Sequence, residues 1–242
     1  MRRAVRAIAA GCLAWALLAA PVGAAGLVDA ADHDAFWLWA GVRPQPVLAQ
    51  ARTLYILQGQ IDPAGRAGGE ARMIAQGMAV PRLRQGEIWL VYRAHTLRWP
   101  PGVIDMIAAR VARWRQAGNP VVGIQIDFDV RTRHLQEYAA FLRDIRARLP
   151  ADQRLSITGL LDWGSNGDPE TINGLNGVVD EVVVQTYQGR RTIPSYRSYM
   201  PRVARLTLPF KIGLVQHGDW DAPAGLADNP WFRGYVVFLL AP

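Results

Sequence analysis

The sequence predicts a (β/α)8 barrel of the α/β class, on three observations. Eight short apolar runs recur along the chain. Most are followed by a polar turn and a helical pattern, and the runs are rich enough in Val, Ile and Leu to suit strands buried on both faces of a parallel sheet. A length of 242 residues is ordinary for one such TIM-type barrel and ample for its core. The last run ends close to Pro242, so the predicted barrel has its last outer helix missing.

Taken from the N-terminus, MRRAVR is basic and precedes the apolar run AIAAGCLAWALLAA, then Pro21 and the small residues VGAAG. This is the layout of a secretory signal peptide cleaved after Ala24 or Ala25. Residues 1–25 are therefore read as a signal and 26–242 as a single barrel domain, periplasmic or secreted. The competing readings are an uncleaved anchor, for which the apolar run is nearly long enough, and lipidation at Cys12. The small-residue end fits a signal peptidase better than a membrane interface, so no stable membrane span is expected after cleavage. The chain has one cysteine, Cys12; its loss with the signal excludes disulfides and thiol catalysis.

Losing Arg2, Arg3 and Arg6 takes the net charge from +7 to +4. The positive charge is almost all arginine, with Lys211 the sole lysine. No basic run with stacking aromatics marks nucleic-acid binding. A weak affinity for acidic polysaccharide is compatible with the charge.

The predicted strands are Ala35–Ala40, Thr53–Gln58, Glu87–Arg93 and Val121–Asp129, then Arg154–Leu160, Glu181–Tyr187, Phe210–Gln216 and Tyr235–Leu240. A helix over Val103–Ala117 places Ile104, Ile107, Val111 and Trp114 on one face, and Arg133–Leu149 does the same with Leu135, Tyr138, Leu142 and Ile145. Thr132 is the expected N-cap of the second. Asp168 followed by Pro169 reads as another helix start, with proline where its missing N–H costs nothing.

In such a barrel the working groups collect at the C-terminal ends of the strands. The fourth strand is the informative one. Alternation puts Gln125, Asp127 and Asp129 on one face and Ile124, Ile126 and Phe128 on the other. The apolar set packs under helices, so the polar set points into the barrel, where carboxylates are costly unless bonded or used. Positions two apart on a strand are about 6.5–7 Å apart, close enough for one carboxylate to raise the other's pKa and keep a general acid protonated. Two other readings fit the same residues: a structural network with arginines such as Arg93, and a divalent-cation site.

VGIQIDFD (Val122–Asp129) resembles the fourth-strand signature D-G-x-D-x-D-x-E of chitinase-like family 18 glycoside hydrolases. Gly123 falls on the glycine, Asp127 on the third aspartate and Asp129 on the catalytic glutamate; Gln125 replaces the middle aspartate and Val122 the first. VDEVVVQTY (Val179–Tyr187) resembles that family's sixth strand, whose final tyrosine contacts substrate, a role the likeness gives to Tyr187. The family's tryptophan at the end of the eighth strand is absent, with Phe238, Leu239 and Leu240 in its place. Over nearly the whole mature chain, the order FWLW, QIDFD, LSITGLLDW, VVVQTYQG, FKIGLVQHG resembles the uncharacterised bacterial family called domain of unknown function 3142. The likeness implies a glycoside-hydrolase-like barrel.

Trp39, Arg93, Asp162, Trp163, Gln185, Tyr187, Gln216 and Trp220 all fall at or just past strand ends. Sugar C–H faces pack on aromatics and sugar hydroxyls bond to Asp, Gln and Arg, so this mix suits a saccharide groove. Trp37, Trp89 and Trp114 are read as core. His33, His95, His134 and His217 lack metal-ligand spacing, although His95 and His217 follow strands and one could support the aspartates. No G-x-S-x-G elbow or phosphate loop occurs, and no cofactor or metal is expected. The expected protein is thus an exported glycoside hydrolase-like barrel acting on a polysaccharide. Asp129 is its general acid, Asp127 tunes that acid or stabilises positive charge developing on the sugar, and Gln125 joins the substrate-binding set; Asp162, across the cleft, is a candidate to activate water. The alternatives are a non-catalytic saccharide-binding barrel and a structural factor of the cell envelope.

Overall fold

The computed structural model describes residues 26–39, 41–63, 65, 70–83, 86–129, 134–163 and 169–241. The signal segment, the Thr132 cap and Asp168 lie outside them. Eight parallel strands close into a barrel: β1 (Ala35–Leu38), β2 (Thr53–Asp62), β3 (Glu87–Ala94), β4 (Val121–Asp127), β5 (Arg154–Leu160), β6 (Glu181–Gln185), β7 (Phe210–Val215) and β8 (Phe232–Phe238). Each pairs with the next in sequence, and β8 returns to β1 through Val237↔Phe36 and Phe238↔Trp37. All eight predicted strands are present, and the α/β barrel stands.

The outer layer departs from prediction. Among the described residues the α-helices are α1 (Pro101–Gln116), α2 (Leu135–Arg148), α3 (Pro169–Asn173) and α4 (Tyr196–Val203). They cover the β3–β4 to β6–β7 connections. Between β1 and β2 the described residues hold only a 3-10 turn, Pro46–Gln50. Between β2 and β3 the strand Arg72–Ala75 folds back antiparallel on Gly59–Asp62. No helix follows β8 among the described residues.

Strand β2 runs to Asp62 rather than stopping at Gln58, because a bulge at Gln58 lets pairing resume at Gly59. The extra residue resets the alternation. Leu57 stays inside the barrel, Ile61 joins the outer core, and Gln58 turns outward beneath α1. There the fully buried Gln58 carbonyl accepts from Trp114 Nε1 at 2.9 Å, so a polar group in the outer core is satisfied.

Two apolar cores result. The outer one lies between strands and helices and contains the predicted α1 and α2 faces. The inner one is aromatic, with Trp37, Tyr55 and Trp89 filling the barrel axis. Small residues make room for them: a Cβ at Gly123 would stand 2.2 Å from Arg154 O and 2.7 Å from the Trp89 ring, and one at Gly213 would stand 2.8 Å from Trp37. Any larger residue at 123 must move backbone. Trp37, Trp89 and Trp114 are core, as read.

Below these rings, near the N-terminal ends of the strands, the barrel is closed by a polar plug. Glu181 accepts from Tyr55 Oη at 2.6 Å and from Ser156 Oγ at 3.0 Å, and faces Lys211 Nζ at 3.3 Å. Lys211 also donates to Tyr55 Oη at 2.9 Å. Burial, with Glu181 adding, pushes the Tyr55 phenol well above its usual pKa, so it remains a donor.

Candidate functional site

At the opposite end the strand termini open into a cleft of about 740 Å³. Its floor is set by β4. As the alternation requires, Ile124 and Ile126 join the outer core while Gln125 and Asp127 face inward. Asp127 is only 5% exposed. Its Oδ1 accepts from Thr158 Oγ1 at 2.8 Å, and its Oδ2 is 3.9 Å from Arg93 Nε. Asp129, two residues on and past the strand end, has a side chain 59% exposed and lies 3.5 Å from Arg93 Nη2. One guanidinium on β3 thus faces both carboxyls.

These environments set the proton's place. Burial pushes Asp127 up to about 6, and the nearby Asp129 charge adds to the rise; the Thr158 hydrogen bond, Arg93 and His95 oppose it. The expected acid is Asp129, with Asp127 tuning it. Burial leaves the raised pKa on Asp127, because the strand ends there and Asp129 stands in solvent.

The wall is aromatic. Arg93 lies over the Trp39 ring at 5.1 Å, Trp39 meets Phe238 edge-on at 5.7 Å, and Tyr187 stacks on Phe238 at 5.5 Å. Burial raises the Tyr187 phenol well above its usual pKa, with Asp127 and Asp129 adding, so it stands as a neutral donor.

Of the predicted set, the cleft gathers Trp39, Arg93, Asp127, Asp129, Asp162, Gln185 and Tyr187. Asp162 enters from the end of β5, the strand beside β4, and not from across the cleft. Four residues lie elsewhere. Gln125 is fully buried below the floor, accepting from Trp37 Nε1 at 2.6 Å and donating to Ser156 Oγ at 2.9 Å, so its amide links the plug to the aromatic core. Trp163 is 3% exposed and packs edge-on to Tyr138. Trp220 stacks on Tyr196 at 4.8 Å, outside the cleft. Gln216 exchanges amide hydrogen bonds with Gln45 at 2.9 and 3.2 Å, beside the cleft.

Thr158, Phe238, Arg190 and Tyr199 were missed. Alternation along Ser156, Thr158 and Leu160 carried the signal for the first, and the place of the absent tryptophan carried it for the second. Arg190 and Tyr199 sit on the connection after β6 and on α4, where no period predicts orientation. His95 bonds Asp62 at 2.8 Å through Nδ1, on the rim. Among the described residues no His, Asp and Glu cluster suits a metal ion, and no helix is long and apolar enough to cross a membrane.

Fold and cleft together define a parallel (β/α) barrel with an acidic mouth. Residues 99–192 match the family model described as "Domain of unknown function (DUF3142)", a stretch that includes Asp127, Asp129, Asp162, Gln185 and Tyr187. Among solved structures the chain is similar to the Bacillus cereus spore cortex-lytic enzyme SleL, with TM-score 0.46 and 17% identity over 74% of this chain and 49% of that one. It is also similar to the chitinase domain of the spore coat protein CotE from Clostridium difficile, with TM-score 0.47 and 12% identity over 84% of this chain and 68% of that one. The chain thus spans about half the length of the first. No curated protein matches.

Proposed function

We propose that the protein is an exported glycoside hydrolase-like barrel that cleaves a polysaccharide in this cleft, with Asp127 and Asp129 as its working pair. The observation that carries the reading is a carboxyl with pKa about 6 on the cleft floor, beside an exposed carboxylate and a wall of aromatic rings. The sequence likeness of β4 and β6 to family 18 hydrolases supports the same class. Partly protonated near neutral pH, Asp127 gives its proton to the glycosidic oxygen as the C–O bond breaks and the bonding pair goes to that oxygen. Positive charge develops on the ring, and Asp129 stabilises it. Water adds its oxygen to the anomeric carbon and passes a proton to Asp162, which releases it to solvent, and solvent returns a proton to Asp127. Trp39, Tyr187 and Phe238 pack against sugar C–H faces, while Gln185 and Arg93 bond to hydroxyls.

A non-catalytic saccharide-binding barrel is the second reading. It is favoured by Asp129, one methylene shorter than the glutamate of the resembled motif, and by Gln125, spent on Trp37 and Ser156. A glycan-array screen of the purified protein, with hits followed by mass spectrometry, separates the two. Cleavage by wild type that Asp127→Asn reduces about a hundredfold or more supports the hydrolase. A glycan bound and left whole supports the binding barrel, and no hit on a broad array contradicts both.

A further inference from the structure

The cleft floor is acidic, but its rim beside β7 and β8 is not. A second pocket of about 360 Å³ opens there, with Arg43, Arg190 and His217 among its lining residues and no carboxylate among the described ones. Arg190 lines the main cleft as well, so the two are neighbours across that side chain. The three cationic or ionisable side chains come from three different connections: the β1–β2 segment, the β6 connection and the end of β7. All are exposed.

Three features mark this wing as built. The Gln45–Gln216 amides bond to each other in both directions, and both also bond the Leu240 backbone. This clamps the Arg43 segment to the ends of β7 and β8. His217 has φ 63°, alone in the left-handed region among the described non-glycine residues. Its amide is tied to Val28 O at 2.9 Å, so the turn is held at a steric cost. Finally, Arg43, Arg190 and His217 have no carboxylate partner among the described residues. Arg93, by contrast, is taken up by Asp127 and Asp129, while Arg190 spends one donor on Ala241 O at 3.2 Å, which holds it at the rim.

We infer that this pocket is a subsite for a carboxylate-bearing sugar, so that the glycan taken by the cleft is acidic, with a charged unit on the Arg43–Arg190 wing and a neutral unit over Asp127 and Asp129. The inference rests on the saccharide reading of the cleft and adds its substrate class. A guanidinium fork matches a planar carboxylate in two parallel hydrogen bonds. The exposed Asp129 repels the same group one unit along. Charge therefore sets the register of the chain as well as its affinity.

The test uses octasaccharides of hyaluronan and of unsulfated chondroitin, in which a uronate alternates with a neutral N-acetyl sugar, each against its methyl ester. Binding is measured by calorimetry at low and high salt, for wild type and Arg43→Glu. The expected result is binding of the acids about tenfold or more tighter than the esters, the worth of one charge-assisted contact. That preference shrinks with salt and disappears in Arg43→Glu. Equal binding of acid and ester, or a preference untouched by Arg43→Glu, overturns the inference and leaves the saccharide reading of the cleft in place. Failure of wild type to bind either acid also overturns it, and the array screen of neutral glycans then judges the cleft by itself.

Discussion

The two ends of the barrel each bury a carboxylate, and they treat it differently. At the closed end Glu181 receives a phenol, a hydroxyl and an ammonium, all within 3.3 Å. At the open end Asp127 is just as enclosed but has one short hydrogen bond, and its arginine stands at 3.9 Å, drawn also toward Asp129. Desolvation that partners offset yields a rigid plug. Desolvation left partly uncompensated appears as a raised pKa, which is what proton transfer near neutral pH requires. The contrast separates a compensated ion pair from a carboxyl with a raised pKa within one set of strands.

The largest expected effect comes from breaking the plug. Lys211→Met leaves Glu181 buried without its cation and should destabilise the protein by about 3–5 kcal/mol in chemical denaturation. Adding Glu181→Gln should recover much of the loss, since removing both charges is far cheaper than removing one. At the mouth the sign reverses. Asp127→Asn keeps an acceptor for Thr158 and removes the ionisation cost, so it should stabilise the fold at pH 7.5 by on the order of 2–3 kcal/mol while lowering turnover. A smaller loss, about 1–3 kcal/mol, follows Trp37→Phe, which leaves the buried Gln125 carbonyl without its indole donor; thermal unfolding reads it. The smallest effect belongs to Asp129→Asn. Exposed as it is, its loss should change stability by less than about 0.5 kcal/mol. It should also lower the Asp127 pKa, because the Asp129 charge is one cause of the rise; a carboxyl-carbon NMR titration shows this directly.

Much of this architecture was legible before the structure. The eight strands, the inward set on β4 and the buried faces of α1 and α2 all follow from period and residue type. What periodicity cannot show is where a strand is bulged or how a connection turns. Gln58 and Gly59 read as a strand end, yet the bulge carries β2 on to Asp62, where Arg72–Ala75 pairs with it antiparallel. The site was half legible for a related reason. Strand alternation found Asp127 and Asp129 but could not tell that the strand ends between them, the fact that buries one and exposes the other. Trp163 and Trp220 fall near loops in the sequence, but Tyr138 and Tyr196 on neighbouring helices take them up, and no local pattern records a partner so distant along the chain.

The most direct test of the contrast is the unfolding free energy of wild type and Asp127→Asn from pH 4 to 8. A folded-state pKa of about 6 against 3.8 unfolded means that the folded protein holds the extra proton inside that window. Wild-type stability therefore falls relative to the variant as pH rises from about 4 to 6 and is level above it. The account predicts curves that meet near pH 4 and separate to a constant gap above about pH 6.5, with the variant the more stable. Curves that run parallel, or a variant less stable at every pH, would contradict it.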